Sequence, residues 1–305
     1  MEQLLRNMFL MLGNNKPLTK MAKKYGMRFG ADRFVAGSTL TDALKVIRDL
    51  NDQGFAVTID HLGEFVENEQ EANEMAEHCI RAIEGISEQN LDSQLSLKLT
   101  SMGLDIDRGL CLANMKRILQ TARTHNVFLT IDMEDEVHCE ATLDVFKELK
   151  AEYDNIGTVL QAYLYRTVDD LQSLQPYHPN LRLVKGAYKE PPEVAFPLKK
   201  DVDENFRNLI TIHLLNGNYT AVATHDDEII RFTKELVEKH NISKDRFEFQ
   251  MLYGIRLERQ KEILEEGYKM RIYVPYGEDW YGYNMRRLAE RPANVAFVLK
   301  GVFGK

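Results

Sequence analysis

The chain has 305 residues and a formal net charge of −8 at pH 7, from 39 basic and 47 acidic residues. Its 44% hydrophobic and 28% charged residues are typical of a soluble globular protein with a large core. The negative charge argues against nucleic-acid binding, and the longest early apolar run, at 8–12, is far shorter than the roughly 20 residues that cross a bilayer. The three cysteines match neither metal nor disulfide spacing, so we expect a reduced, intracellular protein.

The first 52 residues have helical character. Apolar residues recur at helical spacing between positions 4 and 12, and a second helical segment starts at Ser38. Ser38 is the expected N-cap of that segment, with Thr39 or Thr41 as alternatives. We therefore predict an N-terminal helical segment, 1–52, packed on the domain that follows.

From residue 53 to residue 305, short β-rich runs alternate with segments of helical periodicity. No two neighbouring runs are joined by a two-residue hairpin turn, which argues against antiparallel pairing. The rival fold is a doubly wound open sheet, but no glycine-rich dinucleotide fingerprint follows the first run. Eight alternating units predict an α/β fold of the (β/α)8 barrel type. The eight runs lie at 55–60, 94–99, 127–132, 157–163, 181–188, 220–225, 247–252 and 270–276.

Side-chain alternation along these runs predicts an unusually charged barrel interior. Three charged residues, Lys98, Asp132 and Arg182, share the parity of the inner face. They could pair as a structural network or surround a charged ligand at the carboxyl ends of the strands. Polar residues at those ends are usually catalytic in such barrels, so we favour the ligand. The same parity also places Ser96, Thr100, Thr130, Val184, Gly186 and Tyr188 inside, with Arg271 and Tyr273 sharing one face of the last strand.

The other candidate site residues each have two interpretations. The acidic residues after Asp132, at 134–136, read as a solvated loop, and no second histidine near His138 supports a metal site. His225 is either a ligand-facing donor or a packed rim residue, and Asp226 fits a helix cap. The adjacent Arg286 and Arg287 are either a clamp for a carboxylate or phosphate or a basic patch on an exposed helix.

Seven segments together resemble the proline dehydrogenases, monofunctional bacterial flavoenzymes. They occur in the same order as in the family, cover nearly the whole barrel, and include the specific LVKGAY and Y-x-x-RR-L-x-E elements. They are QLSLKLT, TIDMED, QAYLYR, LRLVKGAYKE, ATHDD, FEFQMLYG and RIYVPYGEDWYGYNMRRLAERPANV.

The resemblance implies a distorted TIM-type barrel that holds FAD non-covalently at the strand ends. By position in these motifs, the catalytic residues are Asp132 and Arg182, and Glu64 gates the site by pairing with the first clamp arginine. The family's substrate-binding residues correspond to Lys98, Arg286, Arg287, Tyr188, Leu252 and Tyr273. Its further cofactor-binding residues correspond to Met133, Gln161, Lys185, Gly186, Ala187, Thr224 and His225. No metal is implied.

The implied activity is oxidation of L-proline to Δ1-pyrroline-5-carboxylate by hydride transfer to flavin N5, the first step of proline degradation to glutamate. Electrons pass to a membrane quinone, and a separate pyrroline-5-carboxylate dehydrogenase is an expected partner. We expect a cytoplasmic protein, and peripheral contact with the inner face of the membrane stays open. Two alternatives remain: a folate-reducing flavoprotein barrel, and a Schiff-base aldolase that uses Lys98.

Overall fold

Eight parallel strands close into a barrel in the order of the chain, which confirms the predicted (β/α)8 fold. The computed structural model describes residues 34–63, 66–280 and 283. Every predicted run overlaps one strand, although most boundaries differ by a few residues. The strands are β1 (Ala56–His61), β2 (Ser93–Leu97), β3 (Leu129–Ile131), β4 (Ile156–Gln161), β5 (Asn180–Val184), β6 (Thr220–Ala223), β7 (Phe247–Leu252) and β8 (Met270–Tyr276).

Helices precede the barrel and connect its successive strands. They are α1 (Leu40–Asn51), α2 (Glu69–Glu88), α3 (Arg108–Thr124), α4 (Glu136–Lys150), α5 (Thr167–Leu174), α6 (Lys199–Leu215), α7 (Asp227–Lys239) and α8 (Leu257–Glu265). Short 3-10 helices occur at Thr100–Met102, Gln175–Tyr177 and Lys244–Arg246. Among the described residues, no helix is both long enough and apolar enough to cross a membrane.

Helix α1 begins one residue later than the first-choice N-cap predicted. The cap is Thr39, one of the alternatives to Ser38: the N–H of Asp42 donates to the Thr39 hydroxyl, and the N–H of Thr39 donates to the Asp42 carboxylate. This reciprocal capping box satisfies donors that the helix leaves unpaired. The buried face of α1 joins the hydrophobic core of the barrel. Residues 1–33 lie outside the described part, so the division at 52 stays a prediction.

The core lies between the strands and the surrounding helices. Leu95, Leu97 and Leu99 are buried on the outer face of β2 and the turn after it, as their parity predicted. Burying such side chains is the main favourable term in folding, at about 25 cal/mol per Å². The polar side chains of opposite parity are thereby directed into the barrel.

The amino-terminal end of the barrel interior holds a buried ion pair. Arg271 donates from Nε to Glu248 Oε1 at 2.7 Å and from Nη1 to the carbonyl of Val57 at 2.6 Å. Gln250 and the hydroxyl of Tyr219 donate to the same carboxylate at 2.6 and 2.9 Å. Burial would raise the pKa of Glu248, but the charge and hydrogen bond of Arg271 lower it to about 2. Because the charges of Glu248 and Arg271 compensate each other, we assign this buried pair a structural role.

Candidate functional site

Asp132 is the centre of a second polar cluster at the carboxyl ends of the strands. Its Oδ1 accepts the Ser96 hydroxyl at 2.6 Å and Arg182 Nη1 at 2.5 Å, and its Oδ2 accepts the Tyr273 hydroxyl at 2.7 Å. Lys98 Nζ lies 3.5 Å from Oδ2. Four strand ends therefore converge on one carboxylate. The inward parity predicted for Ser96, Lys98, Asp132 and Arg182 is confirmed, and Tyr273 joins them on the inner face.

The cluster keeps Asp132 ionised and Tyr273 protonated. Burial would raise the pKa of Asp132, but the charges of Arg182 and Lys98 and the hydrogen bonds from Ser96 and Tyr273 hold it below its ordinary value. Burial and the nearby carboxylates of Asp132 and Asp60 raise the pKa of Tyr273 well above its ordinary value. At neutral pH this pair therefore acts as a fixed hydrogen bond.

Lys98 lies between two carboxylates. Its Nζ is 3.5 Å from Asp60 Oδ2 and 3.5 Å from Asp132 Oδ2, and Asp60 is buried. Asp60 was not among the residues predicted for the site. The parity argument applied to the first run would have found it, because Asp60 lies two residues after the inward-facing, buried Thr58.

Arg182 is only partly satisfied by the protein. Its Nη1 bonds to Asp132 and Ser96, and its guanidinium lies 5.2 Å from the centroid of the Tyr273 ring. Its Nε and Nη2 are buried, and within the described part of the chain neither has a hydrogen-bond partner. Buried donors without acceptors are costly, so this guanidinium suits a ligand that brings acceptor atoms.

The residues expected to contact a flavin lie at neighbouring strand ends. Met133 and Gln161 are buried after β3 and at the end of β4, and Gln161 Nε2 donates to the carbonyl of Glu134 at 2.7 Å. Thr224 is buried after β6, where its hydroxyl accepts the N–H of Asp226 at 3.1 Å. Asp226 caps α7, as predicted.

His225 has a defined tautomer. Its Nε2 accepts the N–H of Leu252 at 3.1 Å, so in the neutral ring Nδ1 carries the proton. Its carbonyl accepts Arg256 Nη1 at 2.6 Å. These bonds join the loop after β6 to the end of β7 and to the loop that follows it, which supports the interpretation of His225 as a packed rim residue.

The segment after β5 differs from its prediction. The strand ends at Val184, so the alternation that placed Gly186 and Tyr188 inside does not extend to them, and Tyr188 is 37% exposed. Lys185 pairs with Asp203 and, at 2.7 Å, with Asp226. Gly186 has a φ of +113°, and a Cβ there would overlap the ring of Tyr163. Ala187 follows in the same loop.

Glu134 corrects the interpretation of the acidic run as a solvated loop. It is 8% exposed, and its Oε1 and Oε2 accept the N–H and the hydroxyl of Thr100 at 3.2 and 2.6 Å. Burial raises its pKa, although the hydrogen bonds from Thr100 oppose that shift. Asp135 and Glu136 are half-buried. His138 bonds to Asp135 and, at 3.0 Å, to Asp105, and no metal-binding group of three side chains occurs among the residues the structure covers.

The other predicted site residues divide into two groups. Leu252 is half-buried at the end of β7, where it lies beside Tyr273 in the register of the sheet. Glu64, Arg286 and Arg287 lie outside the described residues. The predicted gate and clamp therefore stay predictions. The structure brings together Lys98, Asp132, Arg182 and Tyr273.

The comparisons of this sequence with known proteins all match the same family. The family model described as proline dehydrogenase matches residues 43–300. Proline dehydrogenase 1 of Bacillus subtilis (strain 168) is 57% identical over 302 residues, covering 99% of this chain and 100% of that protein. Proline dehydrogenase of Deinococcus radiodurans is 43% identical over 306 residues, covering 99% of this chain and 98% of that protein.

A solved structure supports the fold alone. The crystal structure of proline utilization A from Bdellovibrio bacteriovorus, inactivated by N-propargylglycine, is similar with a TM-score of 0.83 at 24% identity. The match covers 98% of this chain and 38% of that longer chain.

Proposed function

The chain belongs to the proline dehydrogenase family, oxidoreductases that begin proline degradation, and from that premise we propose that it oxidises L-proline with non-covalently bound FAD. The product is Δ1-pyrroline-5-carboxylate. The observation that carries this proposal is the buried Arg182, whose Nε and Nη2 have no acceptor among the described residues.

The polar mouth of the barrel fits a flavin. The Nε and Nη2 donors of Arg182 are buried and could bond to the acceptor-rich ring of a flavin. Buried and half-buried residues at the strand ends would surround the cofactor. Bound FAD would supply the two-electron acceptor that removes hydride from the carbon beside the ring nitrogen of proline. The residues that would hold it are Asp132, Met133, Gln161, Arg182, Lys185, Gly186, Ala187, Thr224 and His225.

The net charge of the described cluster supports a role for Arg286 and Arg287 in binding the substrate carboxylate. Lys98 and Arg182 carry two positive charges, and Asp60 and Asp132 carry two negative ones, so the described cluster is neutral in sum. A neutral buried cluster gives little net attraction to an anion. Arg286 and Arg287 would add the missing positive charge, and Tyr188, Leu252 and Tyr273 would enclose the ring. Glu64 would gate the entry by pairing with Arg286.

Asp132 orients its neighbours and is poorly suited to accept a proton. Its depressed pKa disfavours the protonated form, and Tyr273 holds its own proton firmly. Asp132 instead fixes Arg182 and Tyr273 in place through two hydrogen bonds at 2.5 and 2.7 Å. Catalysis in this site therefore depends on orientation and electrostatics.

We further propose that a membrane quinone reoxidises the flavin, with the protein in the cytoplasm and in peripheral contact with the inner face of the membrane. A separate pyrroline-5-carboxylate dehydrogenase would consume the product. The family resemblance supports both steps.

The test is product formation. FAD-reconstituted protein, L-proline and a soluble quinone should yield a cyclic imine that an aromatic amino-aldehyde traps as a coloured adduct. The folate-reducing alternative predicts oxidation of a reduced nicotinamide by a folate substrate instead, and the aldolase alternative predicts covalent trapping on Lys98 by borohydride. Either result without imine formation would contradict the proposal.

A further inference from the structure

Glu134 joins the carboxyl ends of three neighbouring strands. Its carboxylate accepts both the N–H and the hydroxyl of Thr100, at 3.2 and 2.6 Å, just after β2. Its own carbonyl accepts Nε2 of Gln161, the last residue of β4, at 2.7 Å. Glu134 itself follows β3. One residue therefore links three consecutive strand ends through three hydrogen bonds.

The linked residues flank the groups of the proposed site. Thr100 lies two positions after Lys98, and Glu134 lies two positions after Asp132. The hydroxyl of Ser101 donates to the carbonyl of Gly63 at 2.7 Å, which extends the same chain of bonds to the loop after β1. These hydrogen bonds, joined through the peptide bond between Thr100 and Ser101, thus connect the ends of β1, β2, β3 and β4.

The position of Glu134 is energetically demanding. Removing a carboxylate from water is costly unless hydrogen bonds replace the lost hydration. Thr100 supplies that replacement with both of its donors, so the contact holds only when Thr100 is correctly placed. A buried carboxylate of this kind stabilises one spacing between β2 and β3 against neighbouring alternatives.

We propose that Glu134 is a positioning residue that sets the distance between Lys98, the substrate-carboxylate anchor just after β2, and the flavin-contacting residues after β3 and at the end of β4. It acts through Thr100 on Lys98 and through Gln161 and the adjacent Met133 on the cofactor. This role rests on the proposed function, because it assigns Lys98 to the substrate and Gln161 to the flavin.

Two substitutions at this position separate geometry from charge. Glu134→Ala removes both side-chain bonds and should raise the KM for proline by about tenfold and weaken FAD binding similarly, which is the factor for losing a hydrogen bond to a charged group. Glu134→Gln should recover most of both losses. Its amide oxygen still accepts the N–H of Thr100, and the Thr100 hydroxyl can rotate to accept the amide N–H. The exposed Glu140 on α4 gives a matched control, Glu140→Ala.

A double variant tests whether Glu134 acts through Lys98. In a Lys98→Met background, Glu134→Ala should raise the KM for proline little further, yet it should still weaken FAD binding in a titration of flavin-free protein. Coupling of this kind is expected when one residue works through another. Fully additive effects on KM would overturn the inference. So would an unchanged KM and FAD affinity in Glu134→Ala.

Variants of Thr100, the hydrogen-bond partner of Glu134, test the same inference. If Glu134→Ala does not fold, Thr100→Val removes one of the two bonds and should raise the KM and weaken FAD binding, whereas Thr100→Ser should match the parent. Equal behaviour of these two variants would contradict the inference. Failure of the proposed function is distinguishable, because the parent protein itself would then fail to oxidise proline.

Discussion

Arg182 donates from Nη1 to Asp132 Oδ1 at 2.5 Å, while its Nε and Nη2 point to no acceptor within the described residues. The pairing fixes the guanidinium in one orientation, because Ser96 also accepts from Nη1 at 3.2 Å. Nη1 is thus bonded to the protein, whereas Nε and Nη2 are available to a ligand. This arrangement suits a site that receives an acceptor-rich cofactor.

Replacing Arg182 with Met should make the bound flavin harder to reduce. A cation beside the cofactor favours its reduced, more negative form, and its loss is worth about 1.5 kcal/mol or more. This energy corresponds to a fall of about 30 mV in the two-electron midpoint potential. Potentiometry and anaerobic stopped-flow measure the effect, and flavin reduction should slow more than proline binding weakens.

Arg182→Lys is the matched variant, since it keeps the charge and loses the forked donors. It should recover part of the potential. An unchanged potential together with an unchanged reduction rate in Arg182→Met would return Arg182 to the role of a structural ion pair with Asp132.

Replacing either Arg286 or Arg287 with Met should raise the KM for proline about 10- to 100-fold while FAD stays bound. The reason is the neutral sum of the described cluster, which leaves the substrate carboxylate dependent on these two charges. Steady-state kinetics and the flavin content of the purified variants give the readout. Arg231, an exposed residue paired with Glu228 and Glu235 on α7, provides the control Arg231→Met. Parent-like KM values in both clamp variants would identify Arg286 and Arg287 as a surface patch.

The buried pair of Glu248 and Arg271 should make stability depend on acidic pH. The folded pKa of Glu248 is about 2, below the value of about 4.3 in unfolded chains. Its contribution is therefore complete above the unfolded pKa and is lost as the pH falls toward 2. Between about pH 6 and pH 3, urea unfolding should show the parent losing about 2 kcal/mol more than Glu248→Gln. Parallel losses would show that this pair does not govern acid stability.

Gly186→Ala should cost about 3 kcal/mol of unfolding free energy, because it adds backbone strain to a clash with the Tyr163 ring. Gly267→Ala is the matched control. It also has a positive φ, +76°, but its Cβ would meet only the end of Lys244, at 3.3 Å, so strain alone should cost about 1 kcal/mol. Equal losses in urea unfolding would show that packing against Tyr163 contributes little.

Much of this architecture could be predicted from local patterns. Strand alternation is a property of neighbouring residues, so parity alone placed Ser96, Lys98, Asp132 and Arg182 inside the barrel. It failed for Tyr188, because β5 ends at Val184 and the rule holds only within a strand.

The burial of Glu134 could not be predicted in the same way. An acidic run is usually solvated, and the partner that satisfies Glu134 is Thr100, which lies 34 positions earlier, just after another strand. Lys185 shows the same limit, since its partners Asp203 and Asp226 lie on later elements. Long-range pairing decides burial for such charges, and a local pattern does not contain it.

The most direct test of the central claim is the absorbance spectrum of the purified, FAD-reconstituted protein before and after anaerobic addition of L-proline. We expect a yellow protein whose flavin absorbance bleaches with L-proline and returns when a quinone is added, and whose flavin is released by acid precipitation. A protein that binds no FAD, or a flavin whose absorbance L-proline leaves unchanged, would contradict it.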